Sequence, residues 1–438
     1  VTACSIERKS NQIEEKEVAM NESETLSLAI KKIIPHCNEK SEHALLRKIG
    51  VALKSGKDEL KGASLEGSTN YSFKIHLESD PSVALFAKVA FSYALWNPNR
   101  QVKFGIERET MEFNMMRRFA ESIGESAPVA KPYLCIDIDP STRMLVCEFI
   151  ESRLLANQFV EGTVDRRVLP KIASFVAELN LQSMNDPSLN EGIKDSYRSL
   201  YPISKEAFGA MVNSKEEKGD DHFLAYAKKV GTSRFSDIID AMGREYEKSE
   251  CLLHGDMHSL NILVEPFTEN GFGEKGSFVL CDWEMAHAGV KGRDAGSFYA
   301  WPILSAFFLI GRGRRKEADA VLECILQFWN EYERTLVEVG DKDASYLVET
   351  YRSSIGWCGV YLFIANYLLG AQKGAMPFHL VSEFAREKIW ASVGLTGLRC
   401  LEYAFMKQDP DSTLQELQSW FATLVSDQVE LLCKVIKD

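Results

Sequence analysis

Two short apolar runs, Ile262-Leu263-Val264 and Phe278-Val279-Leu280-Cys281, flank a stretch rich in Gly, Glu and Asn, and each is joined to a polar motif. The first follows His254-Gly255-Asp256-Met257-His258-Ser259-Leu260-Asn261, and the second runs into Asp282-Trp283-Glu284. Apolar runs of this length around a turn-rich loop predict a β-hairpin. That hairpin would bring Asn261 and Asp282 to one end, within reach of one ion. A lone His-Gly-Asp is most often a surface turn, because glycine and aspartate favour turns. The hairpin argues for chemistry instead. Phosphoryl transfer needs an aspartate to accept the proton of an attacking hydroxyl, an asparagine on magnesium, and a second aspartate bridging magnesium to nucleotide phosphates. Asp256 and Asn261 keep the spacing of the H-R-D-x-x-x-x-N loop, with glycine in place of arginine. Asp256 is therefore expected as the base, Asn261 and Asp282 as magnesium ligands, and ATP as phosphate donor. Glu284 is expected at a second metal or an acceptor hydroxyl, against the alternative of a hydrogen-bonded loop carboxylate. His254 and His258 are expected to order the loop, and Arg293-Asp294 to anchor the metal loop. Gly255 cannot pair with a phosphate as an arginine there could, which points to an enzyme competent without activation-loop phosphorylation.

A second group of residues lies upstream. Gly67-Ser68-Thr69-Asn70 precedes the alternating stretch Tyr71 to Leu77, a turn at Asp80-Pro81, and Leu85-Phe86-Ala87-Lys88-Val89. This predicts strand, turn, strand with Lys88 near the end of the second strand. Alone, such a lysine is usually a solvated edge residue, but a nucleotide kinase uses one to hold the α and β phosphates. Its carboxylate partner is expected on the helical stretch Arg108 to Phe119, with Glu112 preferred over Glu109. Thr142 to Ile150 reads as a buried strand, and Glu148, Phe149 and Ile150 as the hinge whose backbone receives the adenine. Gly67, Ser68 and Asn70 complete the expected nucleotide contacts.

Beyond the hinge, Leu169 to Ser183, Arg315 to Val339, Ala344 to Leu369, Leu380 to Met406 and Leu414 to Val435 carry apolar residues at helical steps. Asn213 to Asp221 reads as a charged linker. The expected fold class is α+β, with a small β-rich N-lobe over residues 42–150 and a large helical C-lobe over 151–438. Residues 1–41 are expected to form a polar extension, helical or disordered.

Composition sets outer limits. The 438 residues allow two or more domains. A net charge of -12 argues against a general nucleic-acid binder, whose footprint would be basic. The ten cysteines are scattered without a Cys-x-x-Cys pair, which points to reduced thiols in the cytoplasm. No apolar run is long enough to span a membrane, and the start at Val1, without methionine or signal-peptide core, is expected to be processed or trimmed.

The motifs resemble the aminoglycoside phosphotransferase and choline kinase superfamily, and within it the methylthioribose kinases most. The family's His-Gly-Asp-x-His loop corresponds to His254 to His258. Its Asp-x-Glu loop and following Asp-x-Gly correspond to Asp282-Trp283-Glu284 and Asp294-Ala295-Gly296. The nucleotide loop and lysine strand are similar at Gly67 to Tyr71 and Ala87-Lys88. The resemblance, from roughly residue 44 to 410, implies a protein-kinase-like bilobal fold with ATP between the lobes, a small-molecule acceptor, and the possibility of a homodimer. Methylthioribose kinases commonly have proline at Trp283, lack Asn261, and carry a substrate-binding arginine pair where this chain has Glu402-Tyr403. Arg399, on the preceding turn, is the residue expected to take the pair's place at the acceptor. Methylthioribose or a related sugar is the expected acceptor. Choline, ethanolamine and aminoglycosides remain open, as does a pseudokinase that binds without turnover.

Overall fold

The computed structural model describes residues 21–56, 58–65, 70–92, 105–123, 127–185, 232–265, 278–371, 376–406 and 411–437. Gly67, Ser68 and the charged stretch Asn213 to Asp221 lie outside them.

The small lobe is an antiparallel sheet of β1 (Leu60–Leu65), β2 (Tyr71–Leu77), β3 (Ala84–Phe91), β4 (Pro132–Asp139) and β5 (Thr142–Glu148), in the order β1-β2-β3-β5-β4. Side chains alternate between the faces of a strand. Thus Phe73, Ile75, Ala87, Val89, Met144 and Val146 fill one core, while Leu145 and Cys147 join the large-lobe core on the other face. Lys88 pairs with Leu145 across β3 and β5, and so shares the inner face.

Two helices, α1 (Glu22–Ile33) and α2 (Ala44–Lys54), belong to the outer core, where Ala29, Ile33, Leu46 and Ile49 are buried. A capping box starts α1: Asn21 Oδ1 accepts from the Glu24 amide at 2.9 Å, and Glu24 Oε2 accepts from the Asn21 amide at 3.1 Å. Residues from Glu22 onward are thus packed into the small lobe, which differs from the boundary expected near residue 42. The mixed charges are the solvent face of an amphipathic helix whose other side is apolar.

Helix α3 (Glu107–Ile123) crosses the inner face of the sheet and packs against the segment Trp283–Met285. The large lobe contains α4 (Leu155–Glu161), α5 (Val168–Asn185), α6 (Thr232–Tyr246), α7 (Arg293–Gly311), α8 (Arg315–Glu338), α9 (Ala344–Ala371), α10 (Glu383–Met406) and α11 (Leu414–Lys437). The expected hairpin is present: β8 (Ile262–Val264) pairs antiparallel with β9 (Phe278–Leu280), joining Ile262 to Leu280. Strand β6 (Arg153–Leu154) extends it on the β8 edge. A further pair, β7 (Cys251–Leu253) with β10 (His287–Gly289), links the stretch before the catalytic loop to the stretch after the metal loop.

At the centre lies α7, buried from Arg293 to Ile310 and packed by α4, α8 and α9. No described helix is long and apolar enough to cross a membrane.

Candidate active site

The site forms where α3 and β3 of the small lobe meet the loops after β7 and β9. Gly255 has φ +85°, and a Cβ there would lie 2.1 Å from the Met285 carbonyl oxygen. Only glycine combines that φ with so close an approach. Asp294 Oδ2 accepts from the His254 amide at 2.8 Å, and its Oδ1 accepts from the Gly255 amide at 3.0 Å. Asp294, expected to anchor the metal loop, instead holds the His254–Gly255 turn. The Gly255 carbonyl oxygen accepts from Tyr361 O–H at 2.7 Å and from Arg293 Nη2 at 3.3 Å. The Arg293 guanidinium lies over the rings of Trp357 and Tyr246. Strand β7 is fixed by side chains of α5: Leu252 donates its amide to Ser183 Oγ at 2.7 Å, and Asn180 Nδ2 donates to the Leu252 carbonyl at 2.9 Å. Tyr361, Asn180 and Ser183 carry no local sequence signal, because they come from helices far along the chain.

Asn261 Nδ2 donates to the Asp256 carbonyl oxygen at 2.9 Å and approaches its Oδ2 at 3.4 Å. The Cys281 amide donates to the Asn261 carbonyl at 2.8 Å, so the hairpin brings Asn261 beside the residue preceding Asp282. Asp282 adopts φ 64° and leaves 36% of its side chain exposed. His258 Nε2 stands 3.3 Å from Asp256 Oδ2. Burial would raise the Asp256 carboxyl, but His258, His254 and Arg293 together hold the group below the usual carboxylate range. Burial likewise works against a charged His258, and Asp256 reverses that effect. The pair thus keeps Asp256 ionised.

Lys88, buried on the inner face, donates to Glu112 Oε2 at 2.7 Å, to Glu284 Oε2 at 2.7 Å and to Asp282 Oδ1. Glu109 Oε1 lies 3.7 Å away. Burial acts to neutralise Lys88, but Asp282, Glu109, Glu112 and Glu284 hold it well above its ordinary value. Burial also pushes Glu112 up to about 7 and Glu109 well above the carboxylate range. The preference for Glu112 agrees with its direct contact, and Glu109 stands behind it, also fully enclosed.

Glu284, expected at a metal or an acceptor hydroxyl, is 5% exposed and gives Oε2 to Lys88 and to Asn70 Nδ2, the latter at 3.4 Å. Lys88 and Arg108 hold it below the usual range despite burial. This geometry makes Glu284 a hydrogen-bonded carboxylate, and with Glu109 and Glu112 it also forms a buried group whose oxygens lie within 4.8 Å of one another, close enough to hold an ion. Asn70, expected at the nucleotide, instead turns inward: its Oδ1 accepts from Arg108 Nη2. Arg108 itself is fully buried, although an arginine on a helical stretch reads from sequence as a solvated charge.

In the hinge, the Glu148 amide donates to the Lys131 carbonyl at 2.9 Å, so that N–H is already used and is not open to adenine. Lys74 Nζ lies over the Phe149 ring, and Ile150 packs on the large core, so this segment does join the two lobes. Arg399 is half-buried on α10, a helix packed on α9, which carries Tyr361; its expected place at the acceptor rests on the resemblance alone.

No family model matches the chain. Methylthioribose kinase 1 of Oryza sativa subsp. japonica is 29% identical over 128 residues, which is 27% of this chain and 28% of that protein's length. Among solved structures, the chain is similar to an ethanolamine kinase of Plasmodium vivax, at 16% identity and a TM-score of 0.44 over 87% of this chain and 94% of that one. It is also similar to a spectinomycin phosphotransferase solved with ADP and spectinomycin, at 13% identity and a TM-score of 0.43 over 81% and 98%. The sequence match is thus to the same kind of kinase that the motifs at His254–Asn261 and Asp282–Glu284 resemble.

Proposed function

We propose that this chain is an ATP- and magnesium-dependent kinase that phosphorylates a hydroxyl of a small metabolite, with methylthioribose or a related sugar as acceptor. The observation that carries the reading is one connected network. Asp256 is hydrogen-bonded to Asn261, the Asn261 carbonyl is held by Cys281, and Asp282 meets Lys88, which Glu112 fixes.

Each part has a role in transfer. Asp256, kept ionised by His258, accepts the acceptor's hydroxyl proton and orients the oxygen for in-line attack. Asn261 Nδ2 is committed to Asp256, which leaves its Oδ1 as the proposed ligand atom, with Asp282 following Cys281, whose amide holds the Asn261 carbonyl. An amide oxygen with a carboxylate is a hard donor set and fits magnesium. When bound there, magnesium supplies charge neutralisation at the phosphates. Lys88 remains cationic among its carboxylates and holds the phosphates, while Glu112 sets its position. The Glu148–Ile150 segment, with Gly67 and Ser68 of the preceding loop, completes the proposed nucleotide contacts. Arg399 is retained as the proposed acceptor contact.

The sugar reading draws on the partial match to a plant methylthioribose kinase. The absence of the paired arginines at Glu402-Tyr403 keeps choline, ethanolamine and aminoglycosides as alternatives. A binding module without turnover is disfavoured by the intact set Lys88, Asp256, Asn261 and Asp282. ATP consumption by the purified protein, measured across methylthioribose, other pentoses, choline, ethanolamine, homoserine and aminoglycosides, tests the reading. Stimulation by one acceptor supports it. No stimulation by any, together with no magnesium-dependent ATP binding, overturns it.

A further inference from the structure

Arg108 occupies a place that the mechanism above does not use. It opens α3, is fully buried, and donates from Nη2 to Asn70 Oδ1 and, at 3.4 Å, to the Phe91 carbonyl. Its Nε lies 3.6 Å from Glu284 Oε2. Asn70, 6% exposed, ends the loop that leads into β2, and its Nδ2 reaches the same Glu284 oxygen at 3.4 Å. That oxygen also accepts from Lys88. Three separate pieces of chain therefore converge on one carboxylate of the metal loop: Asn70 just before β2, Arg108 at the start of α3 and Lys88 of β3.

We infer that Arg108 and Asn70 are positioning residues that act as one latch, coupling the loop before β2 to the metal loop through Glu284. The inference rests on the proposed kinase reading and adds a connection between its two halves. A guanidinium suits the task, since its planar fork presents several donors in fixed directions and stays charged when buried. Within the enclosed site the hydrogen bonds are stronger than in water, and members of such a network do not contribute independently. Closing the latch fixes where Glu284 stands, and with it the metal loop that carries Asp282, while Glu112 keeps Lys88 in place. The consequence is that the gain in ATP affinity due to magnesium depends on two side chains that face Glu284 and not the proposed metal ligands.

The experiment measures ATP binding by calorimetry, with and without magnesium, for the wild type, Asn70→Ala, Arg108→Lys and the double variant, with thermal unfolding of each. Lysine keeps the buried charge but cannot span both partners. Asn70→Ala keeps the test usable if the arginine variant folds poorly. Each single change is expected to weaken magnesium–ATP binding about tenfold, and the double change by little more, because the two residues form one unit. Affinity for ATP without magnesium is expected to shift less than about twofold, as the latch acts through the metal loop. Additive losses near a hundredfold, equal losses with and without magnesium, or a lower unfolding temperature with unchanged affinities would each overturn the latch. A wild-type protein that binds no ATP overturns the kinase reading, and the latch with it. Wild-type binding with additive variants removes the latch alone.

Discussion

His254 donates its Nε2 proton to the Cys281 carbonyl oxygen at 2.8 Å, tying the loop that carries Asp256 to the residue just before Asp282. Its other ring nitrogen, Nδ1, accepts from the Asp256 amide at 3.3 Å. Trp283 lies against the His254 ring and also against Phe119 of α3, so the contact is enclosed on both sides. The neutral imidazole satisfies both partners. A second ring proton would face the Asp256 N–H with nothing to accept it.

Stability should therefore depend on pH through His254. Burial lowers its folded value below the ordinary 6.5. On acidification the unfolded chain takes up the proton first, so stability is present above about 6.5 and lost as pH falls from there toward the lower folded value. The loss from this one group is at most about 1.4 kcal/mol per pH unit. Urea unfolding from pH 8 to 5 should show a flatter profile for His254→Gln than for the wild type. Equal slopes would remove His254 from the account.

Gly255→Ala should be among the most damaging small substitutions. Positive φ costs an L-residue roughly 1–2 kcal/mol, and the added methyl also meets the Met285 carbonyl, so the total should reach about 3 kcal/mol or more. Turnover should fall further than stability, because the strain lies beside Asp256. Denaturant unfolding and ATP consumption, taken together, check this; wild-type values in both would contradict the geometry. The glycine thus has a structural cause, which the comparison with an arginine-bearing loop does not supply.

The parts legible in the sequence are those where one local pattern decides. The helices α5, α8, α9, α10 and α11 begin and end close to their expected limits; on α8 and α11 one apolar face repeats against a polar one, whereas α9 and α10, buried all round over 353–363 and 392–398, are marked by their apolar content and length. The β8–β9 hairpin follows from two apolar runs and brings Asn261 beside Cys281, the residue before Asp282. Helix α7 is not legible in that way. Arg293 to Ile310 are buried on all sides, so no stripe marks it, and Pro302 argues locally against a helix interior. The short strands β7 and β10 likewise depend on partners distant in sequence. Within the site, Lys88, Glu112, Asp256, Asn261 and Asp282 are legible because their residue types and spacing suit the proposed chemistry. The inward turn of Asn70 and Glu284 is not, since it depends on the buried Arg108, whose charge reads locally as solvent-facing.

Asp256→Asn should lower transfer by about a hundredfold to ten-thousandfold, the range for removing a general base. ATP affinity should stay near the wild-type value, because the contacts of Asp256 are to His258 and Asn261 and not to Lys88. Single-turnover transfer and nucleotide titration separate the two effects. Turnover close to wild type would refute the assignment of the base.

Asp282→Ala should impair magnesium-dependent ATP binding more than Asn261→Ala. A carboxylate brings charge as well as an oxygen ligand, whereas the asparagine brings an oxygen alone. Asp282 also contacts Lys88, so its removal takes one of the four carboxylates from around the ammonium, leaving Glu109, Glu112 and Glu284. Lys88 should remain charged and in place, and metal-free ATP binding should survive in Asp282→Ala. Asn261→Ala instead frees the Asp256 carbonyl and carboxylate from their amide donor, so its larger effect should fall on turnover. Calorimetric titration of both variants, with and without magnesium, distinguishes the two residues. Equal affinity for ATP in all four conditions would show that neither holds the metal.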